Sequence, residues 1–169
     1  MATKPPITQI SSPNWGLPHN TPGRSGHKVI AIVEHIMDGT LDGTDGWFAN
    51  PSSQVSAHFG VGKNGEIHQY VDVDNVAWAN GIVDQPSWPL LVTGVNPNYY
   101  TVSIEHEGNT GDSLTEAQYQ STLSLHRWLL GELVIVPGPD TIIGHNRIDG
   151  VDRADCPAPG FPGQDYSRI

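Results

Sequence analysis

The sequence predicts a single mixed α/β domain: a central sheet of about five or six strands, flanked by one long helix and a few short ones. Three observations carry this. Lys28-Val-Ile-Ala-Ile-Val-Glu-His35 is a β-branched run of strand length, the pattern of a strand buried on both faces. Ser113-Leu-Thr-Glu116 has the spacing of a capping box and opens a stretch running to about Leu133. Within it Leu114, Ala117, Leu125, Trp128, Leu129 and Leu133 recur at helical spacing and should face the sheet. The length, 169 residues, suits one domain of ordinary size, with no linker or internal repeat to divide it.

The remaining elements follow in order. Residues 1–27 are rich in Pro, Ser and Gly and read as an extended N-terminal arm packed on a domain that runs from 28 to 169. After His35 the chain breaks into Asp38-Gly-Thr-Leu-Asp-Gly-Thr-Asp-Gly46, which is turn chemistry. Its carboxylates could hold a cation, but the EF-hand spacing is not met, and a plain loop is the expectation. Val55–Val61 and Glu66–Val71 are strand-like runs around Lys63-Asn64-Gly65, a hairpin signal because Asn and Gly tolerate positive φ. Gly60-Val-Gly-Lys-Asn-Gly65 also satisfies the GxGxxG pattern of dinucleotide sites. That fingerprint needs a helix after it, and a strand follows instead. Residues 80–98, with Pro86, Pro89 and Pro97, are irregular. Thr101–Glu107 is another strand, Thr141–Gly144 is a short one leading into His145, and the tail from Gly150 is loop-like.

Composition excludes several roles. Hydrophobic residues make up 37% and charged residues 15%, a globular balance. Eight Lys plus Arg against eighteen Asp plus Glu leave a formal charge of −10 and no basic cluster, so nucleic acid is not an expected partner. No run approaches the roughly 18 apolar residues needed to cross a bilayer, so no membrane insertion is expected. Met1 to Ser12 lacks a basic start followed by an apolar stretch, so no secretory leader is expected. Cys156 is the single cysteine and can form no intrachain disulfide; a lone cysteine is most often a small buried hydrophobe.

Chemistry-bearing residues gather at predicted strand ends or in the loops after them: His35, Glu105, and the segment from His145 to Cys156. Two histidines and a cysteine are a recognised catalytic zinc set that leaves a fourth position for water. Spacing alone leaves this open, because the three are far apart in sequence. Glu105 and Glu107 share one face of their strand and His106 the other; an exposed strand edge would carry all three equally well.

Read together, these residues resemble the type 2 N-acetylmuramoyl-L-alanine amidases, which include phage endolysins and peptidoglycan recognition proteins. The resemblance runs from about Ile7 to about Phe161. It is carried by Ile30-Ala-Ile-Val-Glu-His35, Val55-Ser-Ala-His-Phe59, Asn64-Gly-Glu-Ile-His-Gln-Tyr-Val71, Ala77-Trp78, Ser103-Ile-Glu-His-Glu-Gly108, Ile143-Gly-His145 and Asp152-Arg-Ala-Asp-Cys-Pro157. It implies Zn2+ held by His35, His145 and Cys156, with Asp155 as an alternative oxygen ligand and Glu105 as general base. It also implies hydrolysis of the amide between the lactyl group of N-acetylmuramic acid and L-alanine of the peptidoglycan stem. A non-catalytic wall-binding module on the same fold is the alternative; such relatives usually lose the cysteine, which this chain keeps.

Two departures from the family pattern stand out. Ala154 occupies the place of a lysine that many relatives carry two residues before the third ligand, and Arg153, or Arg147, is the candidate to replace it. Trp78-Ala-Asn-Gly81 stands where many relatives have Trp-His-Ala-Gly, which leaves Trp78 and Asn80 as the substrate-facing candidates there. His58 is expected to close the pocket or touch substrate, with a purely structural role equally open. His68 and His126 are expected to be partly exposed, and His19 and His27 solvated. The groove is expected between the 38–50 and 80–98 loops. The implied setting is a monomeric phage or prophage lysin, made in the host cytoplasm and released to the wall.

Overall fold

The computed structural model describes residues 2–157; the tail beyond them, including the expected end of the family resemblance near Phe161, lies outside the described residues. The Lys28–His35 run forms strand β2 at Ala31–Ile36, every residue of it buried. It lies between β5 (Thr101–His106) and β6 (Ile142–Gly144), parallel to both. The Asn64-Gly65 turn joins β3 (Phe59–Val61) to β4 (Ile67–Gln69) as an antiparallel hairpin. Gly65 sits there at φ +87°, and a Cβ on it would come within 3.0 Å of the Ala117 carbonyl. The GxGxxG stretch is therefore part of this hairpin and has no helix after it. Strand β1 (Thr8–Gln9), from the N-terminal arm, adds to β4 and completes a six-stranded mixed sheet, ordered β1-β4-β3-β5-β2-β6.

Strand alternation divides the core into two layers. Ile32, Val61, Val102, Ile104 and Ile142 face helix α2 (Glu116–Glu132) through its Leu125, Leu129 and Leu130. Ala31, Val33 and Ile143 face the other way, against Trp88, Tyr100 and Ile148 of the short helix α3 (His145–Ile148). The irregular 80–98 segment is thus a covering layer, tied down where Ser87 and Gly150 exchange backbone hydrogen bonds with Arg147 and Gln85.

Two elements differ from expectation. The 38–46 stretch is not a loop but leads into helix α1 (Leu41–Ala49). Thr40 caps it by accepting from the Gly43 N–H, and Leu41 and Phe48 are buried. Gly43 and Gly46 each cost such a helix about 1 kcal/mol relative to alanine, and packing of its apolar face outweighs them. Its Asp45 accepts from Tyr70 Oη (2.8 Å) and lies 2.9 Å from His68 Nδ1, so no cation is needed to hold that carboxylate. Helix α2 begins two residues later than the capping box suggests: Thr115, not Ser113, accepts from the Gln118 N–H.

The buried stripe of α2 also holds a polar row that hydropathy would put outside. Gln118, Thr122 and His126, successive i, i+4 positions, are all fully buried. His126 Nε2 lies 2.6 Å from Glu34 Oε1, and Glu34 Oε2 is 3.3 Å from His106 Nε2. His106 in turn reaches Thr122 Oγ1 (3.0 Å) and the His35 carbonyl (3.1 Å), and Gln118 donates to the Val61 and Glu107 carbonyls. Burial alone would raise the Glu34 pKa; His126 and His106 outweigh it and hold the carboxyl below its ordinary range. His126 and His68, expected to be partly exposed, are both buried, because each faces a carboxylate. Removing the Glu34 charge strands two imidazoles in the core. Glu34→Gln should therefore cost about 3–5 kcal/mol of stability in urea unfolding; a loss under about 1 kcal/mol would show that neutral hydrogen bonds, and no ion pair, hold the network.

Candidate active site

In the parallel β2–β5 register His35 and Glu105 are directly opposite one another, so both side chains leave the same face at the same end of the sheet. β6 ends beside them, and the chain turns at Gly144 so that His145 starts α3 next to His35, with ring centroids 4.3 Å apart. Cys156 comes in from the 151–157 turns, its Sγ 3.9 Å from His35 Nδ1. The ligand atoms of His35, His145 and Cys156 all lie within 4.8 Å of one another, a group able to hold a metal ion.

Gly144 explains how the cysteine gets there. A Cβ at this position would stand 2.9 Å from Pro157 Cδ and 2.7 Å from Asn146 Oδ1. The glycine lets the 156–157 segment lie against β6, where the Asn146 N–H donates to the Cys156 carbonyl (2.8 Å). Gly144→Ala should therefore displace Cys156 and weaken the binding of a metal ion offered to this group about 10–100-fold, the usual penalty for disturbing a ligand's support. Zinc titration of the purified variant checks this, and an unchanged affinity would show that the segment yields freely.

Charge states suit ligation. Burial lowers the His35 pKa well below its ordinary value, helped by neighbouring His145, and burial lowers His145 to about 4. Both rings are neutral at pH 7, as ligands must be. His145 Nε2 lies 3.0 Å from the Asn80 carbonyl, which fixes the tautomer and leaves Nδ1 available. His35 Nε2 is buried with no partner. Burial, then the charge of Glu105, pushes the Cys156 thiol up to about 12. Glu105 itself is pushed up to about 8, first by burial and then by Asp38, and its Oε2 is buried with no partner. A tetrahedral site with metal–sulfur and metal–nitrogen bonds of zinc length separates N from S by about 3.6 Å, so the observed spacing fits a zinc-sized cation.

The groove over this cluster has a volume of about 380 Å³ and is lined by His35, Asp38, Ala79, Glu105, Thr110, His145 and the whole 151–156 segment. The 80–98 loop, expected as one wall, lies on the covering layer instead; of the 38–50 stretch Asp38 lines this groove, and Thr44, Trp47 and Phe48 line an adjoining hollow that shares Ala79 and Glu105 with it. Arg153 lines the groove, and its charge is felt at His35, His145 and Cys156. Arg147, the second cationic candidate, is committed to Asp140 at 3.2 Å. Asp155 lines the rim, exposed, outside the ligand group.

Two of the expected substrate contacts are structural. His58 is buried just before β3, its Nδ1 accepting from the Ser103 N–H and its Nε2 2.8 Å from Arg24 Nη2. Asn80 is fully buried, donating to Thr101 Oγ1, and reaches the site only through its main-chain carbonyl. Trp78 is half-buried, its Nε1 donating to the Gly16 carbonyl, with the exposed His19 ring 5.2 Å away. Arg24 escaped sequence reading altogether. Its guanidinium, with a pKa lowered to about 10 by burial, donates to the carbonyls of Val73, Asn98, Tyr99 and Thr101 and ties the arm to the sheet. Nothing in a Gly-Arg-Ser-Gly arm signals that role.

An α/β sheet that brings two neutral histidines, a thiol and an unpartnered buried carboxylate to one strand end defines a candidate metal centre with an acid–base group beside it. Residues 25–159 match the N-acetylmuramoyl-L-alanine amidase family, and the chain belongs to that family. It is 28% identical over 164 residues to N-acetylmuramoyl-L-alanine amidase A of Achromobacter lyticus, covering 86% of this chain and 85% of that one. It is 31% identical over 142 residues to the 1,6-anhydro-N-acetylmuramyl-L-alanine amidase AmpD of Escherichia coli, covering 81% of this chain and 69% of that one. Its fold superposes on a crystal structure of an AmpD derivative with a TM-score of 0.69 over 96% of this chain and 91% of the other, at 23% identity.

Proposed function

We propose that the protein is a zinc-dependent peptidoglycan amidase, hydrolysing the amide between the lactyl group of N-acetylmuramic acid and L-alanine of the stem peptide. The observation that carries this is the convergence of the three ligand atoms beside the unpartnered carboxylate of Glu105, in a chain of the amidase family. When bound, zinc supplies a Lewis acid that brings the pKa of water near neutrality and polarises the scissile carbonyl. Glu105 then has two tasks: it takes the proton from the attacking water, and it returns it to the amide nitrogen as the C–N bond breaks. The same carboxylate serves as base and then as acid because it holds the proton only between the two steps. Arg153, the cation among the residues lining the groove, steadies the negative charge on the carbonyl oxygen, in the role that a lysine at the position of Ala154 would otherwise fill.

The test is zinc analysis of the purified protein together with mass spectrometry of products from bacterial wall. One zinc per chain and release of free stem peptide with an N-terminal alanine, both lost in chelator, are expected. Wall binding without peptide release would make the chain a recognition module, and absence of stoichiometric zinc would remove the metal. The lytic, phage-type setting is part of the same proposal. It expects faster peptide release from intact walls than from soluble anhydro-muropeptides, and the reverse preference would point to muropeptide recycling.

A further inference from the structure

His68, on β4, is a buried imidazole with a carboxylate at each nitrogen. Its Nδ1 lies 2.9 Å from Asp45 Oδ1, and its Nε2 lies 3.2 Å from Glu66 Oε1. The two carboxylates come from different elements: Asp45 from α1, and Glu66 from the hairpin turn just before β4. Asp45 Oδ1 also accepts from Tyr70 Oη, so one carboxylate oxygen ties α1 to the sheet twice. The other elements around the ring bring no charge. The neighbouring strands place Thr8 and Gly60 opposite His68. Tyr70, with its ring 6.4 Å away, stays neutral, because burial and its own bond to Asp45 push its pKa up. The element held is a weak one. Helix α1 has nine residues, two of them glycine, and it carries Trp47 and Phe48 to the hollow that shares Glu105 with the groove.

We propose that His68 is a proton-operated clamp: as the cation it binds α1 and the hairpin turn to β4 together, and on losing its proton it loosens α1, the wall beside Glu105. An imidazole has two N–H donors only as the cation; the neutral ring has one. Asp45 and Glu66 can therefore both be held only while His68 is protonated, and the bond that survives its loss is no longer charge-assisted. Burial alone would lower the His68 pKa; the bonds to Asp45 and Glu66, and their charges, outweigh it and raise it. The folded state thus binds this proton more tightly than the unfolded chain does. The clamp's contribution is complete below about pH 6.5 and is lost as pH rises through the His68 pKa. Tyr70 keeps its bond to Asp45 on both sides of that change, so α1 loosens without leaving the sheet. The clamp lies outside the ligand group of His35, His145 and Cys156 and works whatever the groove binds.

Two measurements on the purified protein test this, and neither needs turnover. An NMR titration of the His68 ring should place its pKa above the ordinary value of about 6.5, and Asp45→Asn should lower it. Amide hydrogen exchange of residues 41–49 is then followed from about pH 6 to about pH 9, corrected for the intrinsic rate. Protection of these amides should fall about tenfold, the equivalent of one pKa unit, while the amides of α2 stay unchanged. His68→Gln should abolish the pH dependence and leave α1 at the weakly protected level throughout. Glu105 titrates in the same range, so the exchange is repeated in Glu105→Gln, where the fall should persist. A fall that vanishes in Glu105→Gln, or survives in His68→Gln, assigns the effect to another group and overturns the clamp. So does a His68 pKa at or below about 6.5, or exchange at 41–49 that ignores pH.

Discussion

Replacing Glu105 with glutamine is expected to lower turnover by about 10²–10⁴-fold, the usual contribution of a positioned acid–base group, while leaving the zinc content unchanged. Glu105 lies opposite His35 on the neighbouring strand, and glutamine keeps its shape but cannot carry the proton. A variant with near-normal rate would remove Glu105 from the mechanism. The pH dependence of the rate follows from its role as base. Below its pKa the base is protonated, so kcat/KM of the wild type should climb about tenfold per pH unit and then level, and the variant should lack this limb. In the metal-free protein the sign also has a stability consequence. Burial and Asp38 raise the Glu105 pKa to about 8, so the folded state favours the protonated form. That favourable contribution is complete at acid pH and is lost as pH rises from the ordinary carboxyl range through about 8. Metal-free Glu105→Gln should therefore melt above metal-free wild type at pH 9, and the gap should close at pH 4.

The second large effect is expected at Cys156. Cys156→Ser should lose zinc affinity by more than the roughly 10–100-fold that follows loss of a ligand's supporting partner, and lose activity with it. Of the three ligand groups only this one holds a proton at neutral pH. Burial and Glu105 push its thiol to about 12, whereas His35 and His145 are already neutral. Zinc uptake at pH 7 should then expel one proton from Cys156 and most of a second from Glu105, as a dication arrives beside its carboxylate. Calorimetry in buffers of different ionisation enthalpy counts them. Glu105→Gln should bring the count down to about one, and a wild-type count near zero would exclude Cys156 as a thiolate ligand.

Local sequence determined the elements whose signals are local. The unbroken β-branched run made β2, the Asn64-Gly65 turn made the β3–β4 hairpin, and helical spacing of Leu125 and Leu129 placed α2. It also placed His35, Glu105 and His145 at strand ends, because such ends are marked by where apolar runs stop. Where sequence reading went astray, the deciding partner was distant. The Asp-Gly-Thr repeat reads as turns, yet Leu41 and Phe48 gain enough from burial to make it a helix. His126 reads as partly exposed until Glu34 is seen facing it from the sheet.

The same division runs through the site. That His35 and Cys156 can serve one ion depends on a backbone approach that only Gly144 permits. His58 and Asn80 lie in site motifs, yet their side chains turn inward to bond with Arg24, Ser103 and Thr101. Residue type and period reveal which face a side chain takes on its own element; which groups meet across the fold depends on strand register and close backbone approach, and these exist only once the chain has packed.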